Sequence, residues 1–425
     1  MKPTSDKFVT NSQKATEISV FLCASVAMLI LVISTTSCSQ DHEPVIESEP
    51  PEYIQDIENV SIIAPIEGAV PDTVKLIQEA VFESNDEVFI EGYISKLAVD
   101  KNNRVYIAAT MPGTVGIYVF EPNGRFIDKF VREGRGPGEY ESITSMQIVQ
   151  DTIYVLDGRA QKMGLFSVSD RSHIRDHILS RDQLTRSDSL ASLLRGRQIT
   201  VTEENDYILN MWRISASRAS DIPVEAFFRV SEQGEILPQK VLEVDRFPFY
   251  FPVETGRLEL PFPMPFTRSS LVSITKNGRF YTNWTDDFLI KIYNRDGEYD
   301  RALYHQVRKS KLDMGNFELS RLRERSLAQY EMPETWPAVH TMELDDEERL
   351  WVATITDSDS TFQWHVINPE GELLARFQKP GSRTSRSVMS KPLHLVQNGY
   401  FYSRERDIQQ GIDRIVKYRI EFVES

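Results

Sequence analysis

Arg376, Lys379, Arg383, Arg386 and Lys391 fall within sixteen residues that contain no Asp or Glu. An arginine fork binds a carboxylate or sulfate through two parallel hydrogen bonds, so this cluster is built of the residue type that recognises anions. A second basic group, Arg181, Arg186, Arg195 and Arg197, lies earlier in the chain. The whole chain carries 48 Lys+Arg against 63 Asp+Glu, a formal net charge of -15, so both clusters are local fields of opposite sign. The blander reading is a solvated loop whose charges meet acidic neighbours. Arg383, Arg386, Arg195 and Trp336 are the candidate ligand-binding residues, and an acidic sugar is the ligand class they suit. The stretch from Arg246 to Phe266, rich in Phe, Tyr and Pro, is either an aromatic platform or a packed lid.

The residues for catalysis are present but not gathered. Seven histidines are scattered along the chain, and none forms the close helical pair of a zinc site. His340 and His394 fall on strands nearest the axis of the fold described below. They are the candidate ligands for an axial divalent metal, or packed inner-strand histidines. Asp100, Asp345 and Asp346 belong to tight turns at the other end of the strands, away from such an ion. Gly134 to Gly138 lacks the Lys-Ser/Thr and helix start of a phosphate cradle, and no serine has a nucleophile-elbow context. No catalytic residue and no cofactor is assigned. The acidic balance also argues against nucleic acid as a partner, since phosphate affinity needs clustered positive charge.

These residues must be positioned by a repeat. A unit of four short strands recurs from about residue 92, and its second strand can be followed as Val105-Tyr106-Ile107, Ile153-Tyr154-Val155, Tyr207-Ile208-Leu209, Phe280-Tyr281-Thr282, Leu350-Trp351-Val352 and Phe401-Tyr402-Ser403. Each is β-branched or aromatic and bounded by turn residues. A Gly turn between third and fourth strands recurs as Asn123-Gly124, Gln233-Gly234, Asp296-Gly297 and Glu370-Gly371, with Ser169-Asp170 in its place in the second unit. The pattern predicts an all-β chain, a six-bladed β-propeller of four-stranded antiparallel blades. The sixth unit runs out after three strands, and Val74 to Ile77 is the expected fourth. A pair of sandwiches with coincidental spacing is the competing fold.

Antiparallel strands put the first-to-second and third-to-fourth links on one face and all other links on the opposite face. The first set is tight. The second carries insertions near 179–197, 243–268, 305–336 and 376–391, where ordered loops would hold a site. Helical insertions are expected there, one with Leu190, Leu193 and Leu194 on a face and one from Phe317 to Tyr330.

The repeat, with Gly134-Arg135-Gly136-Pro137-Gly138-Glu139-Tyr140 after the first unit, resembles the bacterial six-bladed β-propeller lipoproteins related to NHL-repeat proteins, over roughly residues 72 to 425. The resemblance implies the fold and leaves the activity open, because this fold hosts lyases, lactonases, lectins and scaffolds.

The two cysteines, Cys23 and Cys38, both lie near the amino terminus. Lys2, Lys7 and Lys14 precede an apolar run from Ile18 to Ile33, then Ser34-Thr35-Thr36-Ser37 and Cys38. This order is that of a secretory signal, residues 1–37, with an uncleaved anchor as the other reading. The exit resembles the lipobox of bacterial lipoproteins, departing from it at Thr35, where that family prefers Leu. The resemblance implies lipidation at Cys38. Residues 38–71, acidic and Pro-containing, are expected to be a solvated tether, and 72–425 the propeller. The expected protein is a lipid-anchored envelope protein that binds carbohydrate, an anionic glycan or another envelope protein. A metal-dependent lyase or hydrolase with an axial site, and a protein-interaction scaffold, are the alternatives.

Overall fold

The six apolar triplets followed through the sequence all lie in β-strands, and their central residues are buried. Tyr106, Trp351 and Tyr402 have no exposed surface, and Tyr281 retains 1%. A computed structural model describes residues 49–65, 70–187, 194–213, 223–247, 249–250, 262–263, 265–313, 328, 331–381, 383, 392–407 and 411–424.

The chain forms several four-stranded antiparallel sheets in a propeller-like arrangement. Unit one comprises Tyr93–Val99, Val105–Met111, Thr114–Phe120 and Phe126–Phe130, each paired with the next. Unit two comprises Ser145–Val149, Thr152–Asp157, Lys162–Ser167 and His173–Ile178. Unit three comprises Leu194–Val201, Tyr207–Arg213, Val224–Val230 and Ile236–Asp245. Unit four comprises Ser270–Ile274, Phe280–Trp284, Leu289–Tyr293 and Tyr299–Tyr304. Unit five comprises Val339–Leu344, Leu350–Ile355, Thr361–Ile367 and Glu372–Pro380. In unit six, His394–Gln397, Tyr400–Arg406 and Asp413–Val423 are completed by Asp72–Phe82. The strand that precedes all the repeats therefore supplies the fourth strand of the last, and Val423 does not leave an open sheet edge.

Apolar clusters lie between neighbouring units. Ala98, Tyr106 and Val119 of unit one pack with Ile153, Val155 and Phe166 of unit two. Tyr402 and Ile415 of unit six pack with Ile107 and Tyr118 of unit one. Both faces of a sheet are buried in this way, which explains why the second strands read as runs of apolar residues. Burial of each large side chain contributes about 1.5–3 kcal/mol.

The glycine turns have a specific steric reason. Gly124 has φ +92°, and a Cβ there would stand 2.7 Å from the carbonyl oxygen of Val81 on the strand that completes unit six. In unit two the corresponding turn has Arg171 at φ 62° with Asp170 accepting from the Ser172 backbone N–H at 3.1 Å, so an Asx turn replaces the glycine.

Three sequence expectations are corrected. Leu194 opens a strand rather than sharing a helical face, and the described helix in that link is Asp182–Ser187. Arg195 and Arg197 accordingly sit on the first strand of unit three. Arg376 and Lys379 belong to the strand Glu372–Pro380, so the basic segment is half sheet rather than loop. The acidic segment does not stay solvated up to residue 71. Glu52–Gln55 is helical, Val60–Ile62 pairs in parallel with the outer strand of unit four, and Ala64–Pro65 pairs with that of unit five. Ile54 and Ile63 are its buried anchors. Residues 190, 193, and 317 to 330 apart from 328 lie outside the described residues.

Candidate functional site

On the face of tight turns, Asp100 and Asp345 are buried and consumed by their own turns. Asp345 Oδ1 accepts from the backbone N–H groups of Glu347 at 3.0 Å and Arg349 at 2.8 Å. Its Oδ2 accepts from Arg349 Nε at 2.7 Å and Trp351 Nε1 at 2.9 Å. Asp100 repeats the arrangement with Asn102, Arg104 and Tyr106. These carboxylates have no lone pairs left for a ligand, and their role is to lock the turn to the buried second strand.

Arg383, Trp336 and the imidazoles of His340 and His394 lie toward the face of long links. Arg383 follows the outer strand of unit five, and its side chain is 4% exposed. Its Nη2 donates to the carbonyls of Thr356 and Ser358, Nη1 lies 3.4 Å from Asp359, and the guanidinium stands 5.3 Å from the ring centre of Trp336. Burial lowers the Arg383 pKa, against the pull of Asp359 and Asp357. Trp336 is 2% exposed and meets Phe266 edge-on at 5.5 Å. The structure thus brings two of the sequence-predicted residues together, with Trp336 as the packed floor beneath Arg383. Arg195 lies elsewhere, on unit three, and is partly buried. Arg386 and Cys38 lie outside the described residues. Of the other cations in the basic segment, Lys379 is 3.3 Å from Glu405 and Arg376 is 3.3 Å from His305.

His340 and His394 occupy the first strands of units five and six, as expected. His340 lies flat on Phe362, with ring centres 4.2 Å apart and planes at 8°. Burial, with the charge of Arg383 added, pushes its pKa down to about 4. His394 packs against Trp364 at 5.4 Å and Phe401 at 5.2 Å, and burial holds it well below the usual histidine range, with Lys379 adding to this. Both are neutral imidazoles among aromatic rings. Among the described residues no three His, Cys, Asp or Glu side chains are grouped to hold a metal.

A second histidine pair escaped the sequence reading. His305 and His365 meet with ring centres 5.2 Å apart, and Phe288 stands 5.4 Å from each. Arg376 can only donate, so His305 Nε2 accepts from it and Nδ1–H points to the carbonyl of Ile63 at 3.2 Å. Burial first, and then Arg376, pushes the His305 pKa down to about 4. No motif marks this pair, because His305 leaves unit four while His365 is on the third strand of unit five. On unit three, also unforeseen, Trp212 is flanked by Arg197 and Arg246 at 5.0 and 3.2 Å from its ring centre.

A family model described as a 6-bladed beta-propeller matches residues 76–238. No curated protein matches the chain. Among solved structures, a member of the DUF4221 family from Bacteroides vulgatus is similar, with 11% identity over 84% of this chain and 100% of that one at a TM-score of 0.50. A Bacteroides fragilis protein has 12% identity over 86% of this chain and 100% of its own, at a TM-score of 0.47. Regucalcin from Agrobacterium tumefaciens, a calcium-binding protein, has 9% identity over 86% and 97%, at 0.37. At such identities the likeness concerns fold.

Proposed function

We propose that this chain is a lipid-anchored envelope protein, related to the NHL-repeat lipoproteins, whose six-bladed propeller binds an anionic carbohydrate on its long-link face. The observation that carries the reading is the pair of guanidinium–indole contacts at the long-link face. The tight-turn face spends its buried carboxylates on its own turns. The opposite face stacks guanidinium groups on indole rings twice, Arg383 with Trp336 and Arg246 with Trp212. On a chain of net charge -15 these guanidinium groups are local positive charges of the kind that an anionic ligand would meet. The anchoring part of the reading rests on Cys38 behind the apolar run Ile18 to Ile33. No helix among the described residues is long and apolar enough to cross a membrane.

The test is calorimetry of the detergent-extracted full chain against oligosaccharides carrying uronate or sulfate and against their neutral counterparts. Acidic oligosaccharides are expected to bind, with affinity falling as salt rises. Equal binding of neutral sugars, or binding of neither, would overturn the reading.

A further inference from the structure

Arg197 occupies a β-bulge, the one residue between Gly196 and Gln198 left without a partner on the strand Tyr207–Arg213. A bulge re-aims a side chain out of the alternation of the sheet. Here the guanidinium is aimed toward Trp212, 5.0 Å from its ring centre. Arg246 stacks on the same indole at 3.2 Å with its side chain 8% exposed. All three positions, with Glu225 and Asn210, lie at the link-face end of unit three.

The charges do not balance. Glu225 Oε2 is 3.6 Å from Arg246 Nε, and Glu225 Oε1 accepts from Asn210 Nδ2, so this carboxylate is already engaged. Among the described residues no acidic side chain forms an ion pair with Arg197. Burial lowers the pKa of Arg197, and the pKa of Arg246 is pushed down to about 10 by burial, with Arg197 adding to it against Glu225. Of the two cations only Arg246 has a carboxylate beside it, and in a partly desolvated place an uncompensated charge is costly.

The hydrogen bonding is unbalanced in the same direction. Among the described residues, Arg197 Nε and Trp212 Nε1 are buried donors without an acceptor, and Asn210 Oδ1 is a buried acceptor without a donor. The amide cannot be turned to relieve this, because Glu225 only accepts and so fixes the nitrogen on its side. We propose that Arg197, Trp212, Arg246 and Asn210 form a binding site for an acidic sugar, its carboxylate or sulfate at Arg197 and a ring hydroxyl toward Asn210. Free sulfate would answer the donors but, having no O–H, offers nothing to Asn210. This inference rests on the long-link face being the ligand face, and places its anion-recognising group on unit three rather than at Arg383.

The experiment titrates the full chain with a glucuronate-containing tetrasaccharide, its carboxyl-reduced counterpart, a sulfated oligosaccharide and sodium sulfate. Wild type is expected to bind the uronate or the sulfated sugar. Arg197→Gln is expected to weaken that binding about tenfold or more, with Arg197→Lys between the two. Arg197→Gln is also expected to keep or raise the melting temperature, whereas Arg246→Gln lowers it by stranding Glu225. That difference separates a ligand role for Arg197 from a structural one. Unchanged affinity in Arg197→Gln, with wild type still binding and Arg383→Gln impaired, overturns this site and leaves the ligand face standing. Equal binding of the carboxyl-reduced sugar, or binding of sulfate alone, overturns the acidic-sugar assignment. No binding by wild type overturns both the site and the reading it rests on.

Discussion

Val74 lies opposite Phe422 in an antiparallel pair, so the strand ahead of the first repeat is bonded to the last strand of the chain. A second link joins the same ends near the inner strands, where Gln397 Nε2 donates to the carbonyl of Val99 at 3.1 Å. These contacts join residues about three hundred positions apart or more, so closing the fold carries the entropy cost of a long loop. Val74 is 6% exposed and packs in a cluster with Trp351, Phe377 and Phe401. Val74→Asp is therefore expected to cost about 3 kcal/mol or more and to expose the edge of Asp413–Val423. Urea denaturation and light scattering check it, and an unchanged midpoint without aggregation would show that this pairing does not hold the last unit closed.

The tight-turn aspartates make a prediction of opposite kind. Replacing Asp345 by Ala strands two backbone N–H groups, Arg349 and the indole N–H of the buried Trp351. A loss of about 2–4 kcal/mol is expected, with ligand affinity on the far face untouched. Asp100→Ala is expected to behave alike, because Asn102, Arg104 and Tyr106 depend on it in the same way. Thermal melts and calorimetry read the two effects separately.

His305 ties stability to pH. Its folded pKa of about 4 lies below the ordinary value of 6.5. The unfolded chain thus binds the proton more readily. The stability contributed is full above pH 6.5 and is lost as pH falls toward 4, up to about 3 kcal/mol. His340 titrates over the same window, and His365 and His394 shift in the same direction. The protonated ring of His305 would face Arg376 and His365 and could no longer accept from the arginine. His305→Gln is expected to flatten part of the slope of stability between pH 6.5 and 4. An identical slope in the variant would remove His305 from the account.

Much of the fold was legible because strand chemistry is local. The triplets around Tyr106, Tyr154 and Tyr281 show β-rich runs between turn residues, and Gly124 marks a turn that tolerates no Cβ. The strand from Val74 was legible from a deficit, three strands where four were needed. What failed was local as well. Leu194 is compatible with a helix period or a strand period, and only its pairing with Arg213 decides between them. Arg376 and Lys379 looked like a charged loop because their partners, His305 and Glu405, are remote in sequence. The candidate site was less legible. Arg197, Trp212 and Glu225 come from three successive strands of unit three and Arg246 follows the fourth, and no motif records such a convergence.

Cys38 sets the expectation for the envelope. Cys38→Ala is expected to leave an unprocessed precursor or release the protein from membranes, since a tether without acyl chains has little affinity for lipid. Fractionation and the mass of the mature amino terminus check it. Unchanged processing together with unchanged membrane retention would argue for an uncleaved anchor.

Arg383 separates two roles that the sequence could not. As a solvated loop cation it would matter for an anionic ligand and barely for folding. In the structure its guanidinium donates to the carbonyls of Thr356 and Ser358 and covers Trp336, so it clasps the link between the second and third strands of unit five to the segment after the fourth. Removing a buried fork takes a donor from both carbonyls, leaving Ser358 only the Thr356 hydroxyl at 3.4 Å, and uncovers an indole. Arg383→Gln is therefore expected to lower stability by about 1–3 kcal/mol, measured by urea denaturation. Arg383→Lys is expected to recover little of it, because a single ammonium cannot reproduce the fork. If Arg383→Gln melts like wild type yet loses affinity for acidic oligosaccharides, the residue is a ligand contact and the clasp is incidental.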